Sequence, residues 1–277
     1  LKFIVIADDN TRLLQLEAGQ LDIATYVPFN KLRELDSNPK LTAIGVPSTQ
    51  SYYLFFNHTK EPYDNQKVRL ALDYGTDKQA LVNFILFGNG EVATSFRPKS
   101  SLFYNSSLKD RGYDVEKAKA LLAEAGYPNG FKTEFLVRSG NAVYQQIAVL
   151  VKEQWSKIGI DVNIVALESG LGFQKYRALE YEVLASPWTD DMPDPSQQCE
   201  YYFIPENMDC ASTGWTSTDR AIELVQKGKR ETDLEKREQI YLELQKIFYD
   251  EVPIMPVFHV PYPVSIIIGF EFSHFCY

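Results

Sequence analysis

The stretch "SPWTDDMPDPSQQCEYYF", residues 186–203, crowds Asp190, Asp191 and Asp194 around Pro193 and Pro195, just behind Trp188, and then runs through Cys199 into Tyr201, Tyr202 and Phe203. Carboxylates at this density can hold a hard cation, act as an acid and base pair, form a solvated acidic loop, or meet a cationic group of a ligand. A Ca²⁺ or Mg²⁺ loop combines a glycine at its sharp turn with a distal glutamate in register, and "DDMPDPSQQCE" lacks that combination. Neighbours interrupted by proline rarely hold two carboxyl groups at the separation that acid and base work needs. What remains is an acidic surface loop or a carboxylate at the mouth of a cleft, where partial desolvation beside aromatics strengthens a charge-assisted bond. Asp190, Asp191 and Asp194 are the candidates.

Other chemistry is sparse. The histidines are His58, His259 and His274, with no HExxH pair and no GxSxG elbow. "GNG" at 88–90 and "GLG" at 170–172 lack the rest of a phosphate-binding fingerprint and read as helix stops or turns. Cys199 and Cys210 lie close together, with Cys276 alone; zinc would need further ligands at short spacing. The pair reads either as a disulfide closing a short loop or as two unrelated buried thiols. No catalytic set, metal site or cofactor is expected.

The elements that must position these residues follow from periodicity. "LKFIVI" reads as a buried strand, "NTRLLQLEAG" as a helix capped by Asn10 or Thr11 and stopped at Gly19, and "LDIATYV", "LTAIGVP" and "SYYLFFN" as strands. Asp64 is expected to cap a helix burying Val68, Ala71 and Leu72, and Thr76 or Asp77 a second one ending at Gly88. The polar stretch 89–111 reads as a long surface excursion. Asp114 caps "VEKAKALLAEA"; "FKTEFLV", "NAVYQQIAVLVKEQWSKIG" and "IDVNIVA" then spell strand, helix, strand, a right-handed βαβ unit with parallel strands. "YEVLAS" is a strand that delivers the chain into the acidic stretch, where clefts of open α/β sheets lie. Two helices follow, the second with Thr232 and Glu235 as a capping box, and the chain returns in "VPIMPVFHV" and "YPVSIIIGF".

The sequence has 277 residues, enough for a sizeable core, and 45% of them are hydrophobic, as in ordinary globular chains. Seventeen tyrosines and 17 phenylalanines favour a ligand surface. A net charge of -9 works against nucleic acid and anionic membranes. No apolar run approaches the roughly 18–20 residues needed to span a bilayer. No leader pattern precedes the first strand, so any targeting segment is expected to have been removed or to lie outside this sequence.

In order along the chain, "RLLQLEAGQLDIATYVP", "YLFFNHTKEPYDNQKVRLALDYGTDKQALVNFILFGNGEVATS", "YDVEKAKALLAEAGYPNGF", "KEQWSKIGIDVNIV" and "WTDDMPDP" resemble the family 5 solute-binding proteins of ABC importers, the dipeptide, oligopeptide and nickel class. The resemblance implies an α/β, periplasmic-binding-protein-like lobe with a mixed sheet flanked by helices, plus hinge strands from a second, incomplete lobe. It implies capture of a peptide or peptide-like solute between two lobes, without catalysis, and delivery to the importer's permease subunits by a monomer in the periplasm or anchored at the cell surface. A nickel complex, sugar or opine is the alternative solute; an Asp-dependent hydrolase is the reading from another class. By the same resemblance Asp191, with Asp190 as the alternative register, receives a peptide's ammonium group, Asp194 and Pro195 form a turn, and Cys199 pairs with Cys210; Trp188, Thr189 and the loop Phe96, Arg97 and Pro98 are the candidates to line the site, each also readable as core or surface. Family members are nearly twice as long, which implies a fragment: residues 1–56 as remnant of the first lobe and hinge, 57–247 as the contiguous second lobe, and 248–277 as return strands.

Overall fold

The apolar strands and amphipathic helices assemble around two sheets in a computed structural model that describes residues 2–268. The first part runs α1 (Asp9–Glu17), β1 (Ile23–Thr25), α2 (Phe29–Asp36), β2 (Leu41–Val46) and β3 (Ser51–Phe56). Next come α3 (Gln66–Tyr74), α4 (Lys78–Ile85), β4 (Glu91–Val92), α5 (Val115–Glu124), β5 (Lys132–Arg138), α6 (Ala142–Ser156) and β6 (Asp161–Leu167). The chain continues through α7 (Ser169–Arg177), β7 (Val183–Trp188), α8 (Ser196–Phe203), α9 (Met208–Thr213), α10 (Asp219–Arg230) and α11 (Leu234–Glu251). It closes with β8 (Ile254–His259) and β9 (Tyr262–Ile267).

The larger, mixed sheet has the order β4-β8-β3-β7-β5-β6. β5 pairs in parallel with both β6 and β7, while β3 runs antiparallel to β7 and β8. β5, α6 and β6 therefore form the expected βαβ unit. Helices cover both faces. On one, Val68, Leu72, Leu81, Ile147, Val151 and Trp155 pack against β3 and β5; on the other, Tyr202, Phe203, Leu224, Tyr241 and Phe248 pack around Tyr53 and Phe55. β3 is buried along its whole length because both faces are covered. The smaller sheet, β1-β9-β2, carries its own core of Leu13, Leu16, Leu32, Leu35 and Leu41. The chain passes between the sheets at 47–50 and again at 260–261, where Val260 N donates to Gln50 O (2.8 Å). No described helix is long and apolar enough to cross a membrane.

Several local expectations shift. Residues 2–7 form no strand, and Phe3 and Val5 are exposed, because no described strand offers them a ladder. Asp8 caps α1, Asn65 caps α3 and Asp233 caps α11; each has extended backbone and its side chain accepts a first-turn N–H, in place of the residue expected. "GLG" lies inside α7 rather than in a turn. Much of 89–111 is not a surface excursion: β4 adds to β8, and Ala93, Ser95, Phe96, Arg97 and Pro98 are buried. Part of "YPVSIIIGF", along with His274 and Cys276, lies outside the described residues.

Candidate functional site

The parallel strands β5 and β7 end side by side, and their carboxyl ends open into a cavity of about 300 Å³. That lies at the lower end of the range for small-ligand pockets. β5 contributes its last residue, Arg138; β7 contributes Ser186, Pro187 and Trp188. Tyr144 enters from the first turn of α6, Phe173 and Tyr176 from α7, and Met208 and Asp209 from α9. Four of the ten lining side chains are aromatic, and one cation and one carboxylate stand among them.

Arg138 is half-buried, and its Nη2 donates to Tyr144 Oη (3.0 Å) and Ser186 Oγ (3.1 Å) while the guanidinium lies 5.1 Å over the Tyr144 ring. Both partners are neutral oxygens, so the positive charge is positioned without being neutralised. Asp209 is buried, and its one hydrogen bond among the described residues comes from Tyr176 Oη to Oδ1 (2.6 Å). Burial pushes its carboxyl up to about 6 against a pull from that hydroxyl, and no cation contributes.

The acidic stretch divides its aspartates by environment. Asp190 is consumed internally: Arg97 Nη1 donates to Oδ2 (2.6 Å), Trp188 Nε1 donates to Oδ1 (2.7 Å), and its backbone N donates to Thr49 Oγ1 (3.0 Å). Burial raises this carboxyl above its ordinary value, and Arg97 and Trp188 oppose the rise. Asp191 is exposed and, among the described residues, accepts only from Gln197 Nε2 (2.9 Å). Thr189 is exposed beside it, and Trp188 alone of this group lines the cavity. Phe96 packs in the core against Tyr202, Phe203 and Phe248 rather than facing a cleft. Arg97 is 1% exposed and ties its loop to Asp190, Gln198 and the Pro193 carbonyl. Asp194 is held by Arg237 (2.7 Å) and accepts from Ser196 N (2.9 Å), which fixes the turn into α8; those bonds bring its carboxyl down to about 2 despite partial burial.

The expected disulfide is not formed. Cys199 and Cys210 are free, buried thiols on two successive helices, α8 and α9. Each belongs to the aromatic core around Tyr202 and Trp215, and Cys210 Sγ donates weakly to Trp215 O (3.5 Å). The segment taken for a disulfide loop is helical and packed, so the thiols serve as small apolar groups. Burial drives both pKa values up, that of Cys210 to about 12.

Arg138 and Asp209 were not among the expected site residues. The signal for Arg138 was a charged residue at the carboxyl end of a buried parallel strand, just before the N-cap Asn141. Asp209 had no such signal, since the helix that carries it was not expected.

Comparison with known proteins matches the profile of the bacterial extracellular solute-binding proteins, family 5 middle region, to residues 1–209. The chain belongs to this family. Relatives include heme-binding protein A of Haemophilus influenzae, 33% identical over 92% of this chain and 47% of that protein. A dipeptide-binding protein of Pseudomonas aeruginosa is 29% identical over 99% of this chain and 52% of its own length. Among solved structures, HbpA2 from Haemophilus parasuis superposes with a TM-score of 0.88 at 30% identity, covering 96% of this chain and 53% of that one. The periplasmic binding protein DppA from Helicobacter pylori, in complex with the peptide STSA, superposes with a TM-score of 0.82 at 28% identity, covering 96% and 52%. This family 5 chain thus spans about half the length of the relatives it matches, with a periplasmic-binding-protein fold.

Proposed function

We propose that this chain supplies a solute-capturing wall of an ABC importer's binding protein, and that its solute is a peptide or peptide-like molecule whose carboxylate is received by Arg138. The observation that carries the reading is the guanidinium at the carboxyl end of β5: half-buried, aimed by two neutral hydroxyls, and without a carboxylate partner among the described residues. A carboxylate arriving there makes a charge-assisted bond in a partly desolvated, aromatic-walled site. Asp191 is the acceptor for the solute's ammonium group, since Asp190 is already saturated. The name of the dipeptide-binding relative supports a carboxylate-bearing solute. The protein binds and hands over its solute to permease subunits on the outer side of the membrane, as a monomer and without catalysis. Residues 57–247, together with β3 and β8, form one lobe; β1, β2 and β9 belong to the other, and the crossings at 47–50 and 260–261 are the hinge.

The test is an NMR titration of the 277-residue chain, which reads weak binding, with a dipeptide and with its C-terminal amide. The free acid is expected to bind at least about tenfold more tightly, and Arg138→Met to abolish the difference. Equal affinity for acid and amide in the unaltered chain would reject Arg138 as the receptor. Saturable haem binding with no response to peptides would move the solute class to that named for the Haemophilus relative.

A further inference from the structure

Asp209 shares the cavity with Arg138, yet nothing in the proposed grip on the solute's two ends uses it. Asp209 is 5% exposed, lines the cavity with Tyr176 and Met208, and has a single side-chain hydrogen bond among the described residues. The ionisable groups on which its charge acts, Tyr176, Tyr181, Tyr202 and Cys210, are neutral acids, and no cation acts on Asp209 in return. A carboxylate in that position has lost much of its hydration and gained one hydroxyl in exchange, so it is short of donors. Tyr176 fixes Oδ1 and leaves the other oxygen's acceptor capacity unused by the described residues.

We infer that Asp209 is a specificity determinant: it receives a cationic side chain of the solute, so that the cavity selects a peptide with a lysine or arginine beside the carboxylate held by Arg138. The aromatic walls of Tyr144, Phe173 and Trp188 suit the aliphatic stem of such a side chain, which packs on apolar surface while its charged head reaches an acceptor. The opposite charges of Arg138 and Asp209, each held by neutral partners, match a solute segment carrying both an anion and a cation. This inference rests on the cavity being the solute site.

The experiment compares N-acetylated Ala-Lys with N-acetylated Ala-norleucine, which share a free carboxylate and lack the α-ammonium group. Binding is followed by NMR in the unaltered chain and in Asp209→Asn, which keeps an acceptor for Tyr176; thermal unfolding confirms that the variant is folded. The lysine peptide is expected to bind at least about tenfold more tightly to the unaltered chain, and the preference to vanish in Asp209→Asn while norleucine affinity holds. Equal binding of both peptides, or a lysine preference that survives the substitution, overturns the inference and leaves Arg138's role standing. Failure of either peptide to bind at the cavity removes both. A further arm uses unacetylated Ala-norleucine: a gain from the free ammonium that Asp209→Asn abolishes and Asp191→Asn does not would make Asp209 the ammonium receptor and overturn the side-chain assignment.

Discussion

Three aspartates in this chain show how environment decides what a carboxylate does. Asp190 is locked to Arg97 with both side chains almost fully buried, an arrangement whose disruption leaves an unpaired buried charge; it belongs to the scaffold. Asp191, one residue on, is exposed and available. Asp209 is buried without a cation, and its carboxyl is raised to about 6 from an ordinary 3.8. A raised acid binds its proton more readily in the folded than in the unfolded chain, so between those two values stability falls as pH rises, and the penalty is fully present above the folded value. Asp209→Asn is therefore expected to stabilise the protein by about 2–3 kcal/mol at pH 8 and to have little effect at pH 4. Urea unfolding at the two pH values reads it, and an equal effect at both would show that Asp209 folds with a paired charge. A carboxylate that costs stability when empty is suited to meet an incoming donor.

The βαβ unit that sets Arg138 in place depends on a backbone contact at its far end. Gly130, with φ +73°, precedes β5, and Gly159, with φ +86°, precedes β6; a Cβ on Gly130 would lie 2.0 Å from the Gly159 carbonyl oxygen. Gly126 also has a positive φ, +94°, but has nothing within 4 Å of a Cβ. Gly126→Ala is expected to cost about 1 kcal/mol, from backbone strain alone, and Gly130→Ala at least about 3 kcal/mol, because the two turns must separate. Thermal unfolding of the pair would separate strain from steric overlap, and similar costs would show that the turns yield easily. This unit was legible in the sequence: alternation in "FKTEFLV" and "IDVNIVA", and the spacing of Ile147, Leu150, Val151 and Ile158 between them, report local periodicity directly. α2, α7, α8 and α9 were not, because Pro28, the glycines of "GLG", and Pro193 with Pro195 mimic loop punctuation while tertiary packing supplies the stabilisation. The same gap hid Asp209 and made Cys199 and Cys210 look like a bridged loop. Arg97 and Asp190, 93 residues apart, could not be joined by any local signal.

At the scale of the molecule, every residue lining the cavity comes from two interior strands of one sheet, β5 and β7, and the helices beside them. Phe173 remains 37% exposed, and Thr189 and Asp191 flank Trp188 in the open. Small-ligand sites ordinarily bury 70–90% of the ligand's surface, and much of the affinity comes from that burial. A solute resting on this wall keeps a face in water, so exposed Asp191 acts on it in a medium close to bulk solvent and that charge pair is weakened, while half-buried Arg138 and buried Asp209 are better shielded. The 277-residue chain is therefore expected to bind dipeptides with dissociation constants of roughly 0.1–10 mM, with the preferences set by Arg138 and Asp209 intact. Calorimetry together with NMR titration decides it. Submicromolar affinity would mean that this one wall provides most of the binding energy.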